Sequence, residues 1–174
     1  MDSGASRPLF WSVAAGVVIA DFYTKTLAAS ALSRVPRRIV GDWITFQLVY
    51  NPGAAFGLHV GEHSRWVFLV LALLALLVLG SMVRQTRADQ RFRLVALALV
   101  CGGAVGNLID RIRSPRGVVD FIDVGVGTLR WPTFNLADAA VTCGAIALAI
   151  VLWVDGRREA RAVPSKADAA TASS

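Results

Sequence analysis

Charge is the first thing this chain is short of. Only 17% of its 174 residues are Asp, Glu, Lys or Arg, against about 25% in an average soluble domain. Cysteine occurs twice, at Cys101 and Cys143, both inside apolar blocks. That excludes a disulfide framework and a zinc knuckle, and the two read as small buried apolar residues. Histidine occurs only at His59 and His63, so no serine or cysteine has an evident general base for covalent catalysis. No internal repeat is evident. What fills the chain instead is hydrocarbon. Hydrophobic residues make up 55%, and glycine brings the apolar share to roughly 64%, against about 45–50% in ordinary domains. This excludes disorder, collagen and coiled coil, and argues against a soluble globule.

The apolar residues fall into four blocks, at 9–29, 66–83, 92–109 and 134–154. The second has 18 residues without a charge, about 27 Å of helix against a hydrocarbon core of ~30 Å. The first is interrupted by Asp21 and Lys25 and is long for a signal-peptide core, so it reads as a helix that stays. The expectation is a mainly α membrane protein with four transmembrane helices. Residues 1–155 would form a single four-helix domain, and 156–174 a disordered cytoplasmic tail. A net charge of +6 and a pI near 10.3 could suggest nucleic acid. The basic residues sit between hydrophobic blocks rather than on one soluble face, so membrane topology explains them better. The first, third and fifth hydrophilic pieces carry eight basic residues in 36, the second and fourth eight in 60. That density places both termini in the cytoplasm. In the second piece, residues 43–50 are β-branched and aromatic and then broken by Asn51-Pro-Gly53. This is a strand-then-turn signal, expected as a small extracytoplasmic β element on the membrane surface.

Ionisable residues inside membrane helices are costly and are functional candidates by default. Asp21 and Lys25 lie four apart and can pair on one helix face; a structural ion pair and a part in chemistry both fit. Asn107, Asp110 and Arg111 end the third block, and Asn135 and Asp138 open the fourth. With alternating crossings these groups and the Asn51 turn share one membrane face, the outer one by charge bias. Such convergence means an active site or a permeation vestibule. Three acids have apolar neighbours: Asp120, Asp123 and Asp138. Two carboxylates held together cannot both ionise, so one keeps a proton near neutral pH. Such a pair can activate water with one member and protonate a leaving amine with the other. His59-Val-Gly-Glu-His63 matches a zinc-peptidase pattern, but Gly61 lies inside it and no third ligand is in sight, so no metal is expected. Gly102, Gly103 and Gly106 fit close helix packing.

Five segments together resemble the lipoprotein signal peptidase (signal peptidase II) family. They are Asp21-Phe-Tyr-Thr-Lys25, Asn51-Pro-Gly-Ala-Ala-Phe56, Gly102-Gly-Ala-Val-Gly-Asn-Leu-Ile-Asp-Arg111, Val118-Val-Asp-Phe121 and Trp131-Pro-Thr-Phe-Asn-Leu-Ala-Asp138. The resemblance spans about residues 9–155. It implies an intramembrane aspartyl endopeptidase of the bacterial cytoplasmic membrane, multi-pass, with its active site near the outer face. Its substrates would be prolipoproteins cut just before the diacylglyceryl-modified cysteine, with membrane lipids as further partners and no metal or organic cofactor. The family's catalytic pair falls on Asp120 and Asp138. Its supporting polar positions fall on Asn51, Asn107, Arg111 and Asn135, and its helix 1 motif on Asp21 and Lys25. Asp110 and Asp123 read as structural, and Ala139 departs from a serine common in the family. The rival is a small proton-coupled membrane transporter, which would space its acids through the membrane and show an inverted repeat. A non-catalytic assembly factor is the third reading.

Overall fold

In the computed structural model, residues 7–33, 35–53 and 61–162 are described. Helix α1 (Arg7–Ala31) leads into strands β1 (Arg37–Val40) and β2 (Ile44–Asn51). After a 3-10 turn at Gly61–His63 come α2 (Ser64–Gln85), α3 (Arg91–Arg113), β3 (Val118–Val126), β4 (Leu129–Arg130) and α4 (Leu136–Ala162). Each apolar block is a helix, extended at one or both ends by polar residues that favour helix. Among the described residues three helices are long and apolar enough to cross a membrane, α2, α3 and most of α4. The expected fourth, α1, is 25 residues long but stands outside that set, because Asp21 and Lys25 lower its hydropathy. One further boundary moved. Helix α4 continues to Ala162, so residues 156–162 are helical rather than part of a disordered tail; Arg157, Arg158 and Ala160 are good helix formers. Residues 163–174 lie outside the described residues.

Helix α3 is the hub and packs against all three other helices; α2 lies chiefly along α3. The reason is written in glycine. A Cβ on Gly102 would stand 2.9 Å from the Ala14 carbonyl of α1, and one on Gly103 would run into the Ala137 carbonyl of α4. Gly144 of α4 returns the contact, with the Ala96 carbonyl 2.8 Å from a would-be Cβ. Backbones this close exclude lipid and water between α1, α3 and α4. Phe10, Ala14, Leu97, Ala98 and Cys101 form the core of that seam. Cys143, expected to be buried, is on an exposed face of α4. Along α2 the outward side chains are apolar, with Leu77 70% exposed, as expected of a surface solvated by hydrocarbon.

The strands form one antiparallel sheet in the order β1-β2-β3-β4. It packs on the C-terminal end of α1, where Ala28 and Leu32 meet Phe121, Phe46, Leu48 and Ile122. Register sets Val49 opposite Asp120 and Asn51 opposite Val118. That pairing brings the Asn51 turn to the acid. The strand expected at 43–50 is β2; β1, β3 and β4 carried no comparable signal.

Candidate active site

The first turn of α4 is held by its own side chains. The Asp138 N–H donates to Asn135 Oδ1 (2.9 Å), and the Asn135 N–H donates to Asp138 Oδ2 (3.2 Å). This is a reciprocal capping box: two of the donors that a helix N-terminus leaves orphaned are satisfied by residues three apart. A third donor, the Ala137 N–H, goes to Asp21 Oδ1 of α1 (2.9 Å). Asp138 therefore sits where the cap puts it. Its other oxygen, Oδ1, accepts from Asn107 Nδ2 of α3 at 2.7 Å.

Asp120 comes from β3 and is 2% exposed. Its Oδ1 accepts from Asn135 Nδ2 (2.7 Å) and its Oδ2 from Asn51 Nδ2 (3.0 Å). Asn51 is itself fixed, its Oδ1 accepting the Gly53 N–H (3.0 Å) in an Asx turn. Gly53 adopts φ 122°, and a Cβ there would press on Ser64 and Phe68 at 3.0 Å; only glycine suits the position. Burial first, and then the neighbouring Asp138 charge, push the Asp120 carboxyl up to about 6; the bonds from Asn51 and Asn135 and the Lys25 charge oppose the shift. Asn135, wholly buried, is the residue that grips both acids.

Behind the acids lies a second polar layer. The Lys25 ammonium reaches Asp21 Oδ2 (2.8 Å), Asp110 Oδ2 (2.9 Å) and Asn107 Oδ1 (2.9 Å), which accounts for all three of its donors. Asp110 also accepts the Val119 N–H at 3.2 Å, tying α3 to β3. A Cβ on Gly106 would meet Asp21 Oδ2 at 2.6 Å, so the third glycine of the seam makes room for this cluster. Arg111 donates from Nη1 to the Asn107 carbonyl (3.1 Å). Its buried Nε has no hydrogen-bond partner among the described residues, and its charge faces Asp138, Asp120 and Asp110.

Of the residues singled out in the sequence, Asn51, Asn107, Asn135, Asp120 and Asp138 meet in one hydrogen-bonded group. Asp21 and Lys25 join it from behind and Arg111 flanks it. Asp123 does not join; it pairs with Arg130 (2.8 Å) and accepts from Gln47 (3.0 Å). His59 and residues 54–58 lie outside the described residues, and His63 is exposed on the 3-10 turn. Among the described residues no three His, Cys, Asp or Glu side chains are grouped to hold a metal ion. Sequence reasoning missed Arg65, whose Nε donates to the Arg111 carbonyl (2.6 Å) and whose Nη2 donates to the Ile112 carbonyl (3.2 Å). It caps the end of α3 from the start of α2, and no spacing in the chain announces that.

Against known proteins, the family model described as signal peptidase (SPase) II matches residues 13–154, which contain all five segments. A lipoprotein signal peptidase of Syntrophomonas wolfei is 40% identical over 153 residues, covering 87% of this chain and 97% of the relative. One from Francisella tularensis is 36% identical over 135 residues, covering 76% and 83%. A bacterial membrane enzyme solved by the in meso method at 2.3 Å resolution is similar in structure. Its TM-score is 0.76 at 28% identity, over 90% of this chain and 94% of that one. Nothing in these similarities supports a transporter.

Proposed function

This chain belongs to the signal peptidase II family and is a membrane protease that removes signal peptides from prolipoproteins; from that premise we propose that it is an aspartyl enzyme whose catalytic pair is Asp120 and Asp138. The observation that carries the reading is Asn135, one buried side chain bonded to Asp120 while its backbone and amide oxygen cap Asp138. Burial raises the Asp120 carboxyl and makes it the member that takes up the proton. The Asp138 carboxylate then draws a proton from water, which attacks the carbonyl preceding the lipid-modified cysteine. Asp120 gives its proton to the developing oxyanion, and collapse of the tetrahedral species returns a proton to the leaving amine. Asn51 and Asn107 hold the acids, and Arg111, whose Nε has no partner among the described residues, is placed to receive a substrate carbonyl.

Residues 1–155 act as a single intramembrane domain. Helix α1, about 37 Å long at 1.5 Å per residue, is the fourth crossing, made tolerable because Lys25 is bonded to α3, and Asp21 to Lys25 and the Ala137 N–H of α4, rather than left in lipid. The C-terminal ends of α1 and α3 and the N-terminal end of α4 then share the outer face, with the sheet, and both termini lie in the cytoplasm. The substrate carries diacylglycerol on its cysteine and enters sideways from the bilayer, along apolar helix faces such as that of α2. The test is cleavage of a lipidated prolipoprotein by purified Asp120→Asn and Asp138→Asn proteins. Both should be inactive, and near-normal turnover by either, folded, refutes the pair.

A further inference from the structure

A lysine ammonium can only donate hydrogen bonds, whereas a carboxamide has one donating and one accepting end. Asn107 stands between Lys25 and Asp138, and its Oδ1 receives both Lys25 Nζ (2.9 Å) and Asn135 Nδ2 (3.1 Å). Its Nδ2 is thereby turned to Asp138 Oδ1 (2.7 Å). Were the amide reversed, its NH2 would face two donors and its oxygen would face a carboxylate. Three contacts would turn repulsive in a largely buried site. We infer that Lys25 is a positioning residue for the acid pair: by admitting only an acceptor, it fixes the direction of the Asn107 amide and so keeps a donor aimed at Asp138.

This rests on the reading of Asp120 and Asp138 as the catalytic pair, and it differs from a merely structural role for the ion cluster. A structural role needs the three helices tied together, which neutral hydrogen bonds of similar shape would also do. A directing role needs a group at position 25 that cannot accept. The cluster also bears on Asp120, which is faced by Asp138 from α4, Lys25 from α1, Asn51 from β2 and Arg111 from α3. Of these the ammonium is connected to the pair through a single intervening amide.

The test is made in an Asp21→Asn/Asp110→Asn background, where Lys25 keeps its acceptors and Ala137 and Val119 keep theirs. Adding Lys25→Met to that background removes the donor-only group and leaves no buried carboxylate stranded. Turnover of a lipidated prolipoprotein should drop at least about tenfold from the double to the triple variant with KM nearly constant, as expected for a misaimed group. The limb of the pH–rate profile that belongs to Asp120 should move upward. Equal kcat and superimposable pH profiles in the two variants overturn the inference. If the asparagine background does not fold, Lys25→Arg and Lys25→Met are compared in the natural chain. The arginine, again donor-only, must retain the higher kcat, and equality again overturns it. An active Asp120→Asn protein would instead remove the pair itself, so the two failures are told apart.

Discussion

The ends of α1, α3 and α4 that meet at the acids and the whole of α2 are built on opposite terms. At these ends, Asp21, Lys25, Asn107, Asp120 and Asn135 are all buried, and beside local contacts within α1, α3 and the α4 cap each of them bonds to a partner on another element. Helix α2 is more hydrophobic than α3 or α4, yet no residue of its membrane window is buried, and it lies chiefly along α3. In a bilayer, apolar surface gains nothing from meeting apolar surface, because lipid solvates it as well. Close glycine packing and satisfied polar groups decide which helices cohere. The polar cluster is therefore a clamp of the molecule, while α2 is a wall.

The largest effect should come from attacking the cluster at its centre. Asp120→Asn combined with Asp138→Asn should be no slower than either single variant, because residues acting as one device are strongly non-additive. Losses that multiply in the cleavage assay would mean that the acids work separately. Asp123→Asn, whose carboxylate is paired with Arg130, should keep substantial turnover by the same measure.

Next in size is Gly106→Ala, which puts a methyl 2.6 Å from Asp21 Oδ2. Displacing Asp21 loosens the Ala137 cap and should cost about 1–3 kcal/mol of stability, the range for overpacking, along with much of the activity. Thermal unfolding in detergent measures the first and the cleavage assay the second. A fully stable, fully active variant would mean that the cluster tolerates slack.

The acid itself should weaken the fold above neutral pH. Asp120 titrates at about 6 in the folded protein against 3.8 in its ordinary state, so the native chain binds that proton more tightly than the unfolded one. Its stabilising contribution is complete below about pH 4 and is lost as pH rises through about 6. Asp120→Asn, a neutral near-isostere, should consequently melt higher than the natural protein at pH 8 and lose that advantage by pH 4. A melting difference that does not change with pH would place the titration elsewhere.

The smallest effect belongs to the wall. Nothing lies within 4 Å of a Cβ on Gly80, so Gly80→Ala should leave cleavage unchanged and stabilise α2 by at most about 1 kcal/mol, the propensity difference. A large loss of activity would show that α2 is more tightly engaged than its contacts indicate.

The four helices were legible because a run of some twenty apolar residues has few other meanings. The α4 cap was partly legible as well, since Asn135 and Asp138 stand three apart just ahead of such a run. Strand β3 was not: two aspartates interrupt its β-branched pattern, and their burial depends on Asn51, Asn135, Gln47 and Arg130 from elsewhere. Strand β1, Arg-Arg-Ile-Val, is short and fully exposed, so pairing alone defines it. Nor did any local pattern join Lys25 to Asp110 and Asn107, or Asp21 to Ala137. Those bonds are properties of how glycine lets three backbones converge.

The capping box of α4 ties folding to turnover through shared bonds. Asp138 holds the Asn135 N–H with one oxygen and the Asn107 amide with the other. When a carboxylate in that position takes a proton from water in the proposed mechanism, one of its oxygens becomes a donor and can no longer serve its N–H partner as well. For the lifetime of the tetrahedral species either the cap bond to Asn135 or the bond from Asn107 would be the weaker for it. The Ala137–Asp21 bond, which no proton transfer touches, would hold the tip of the helix through that interval.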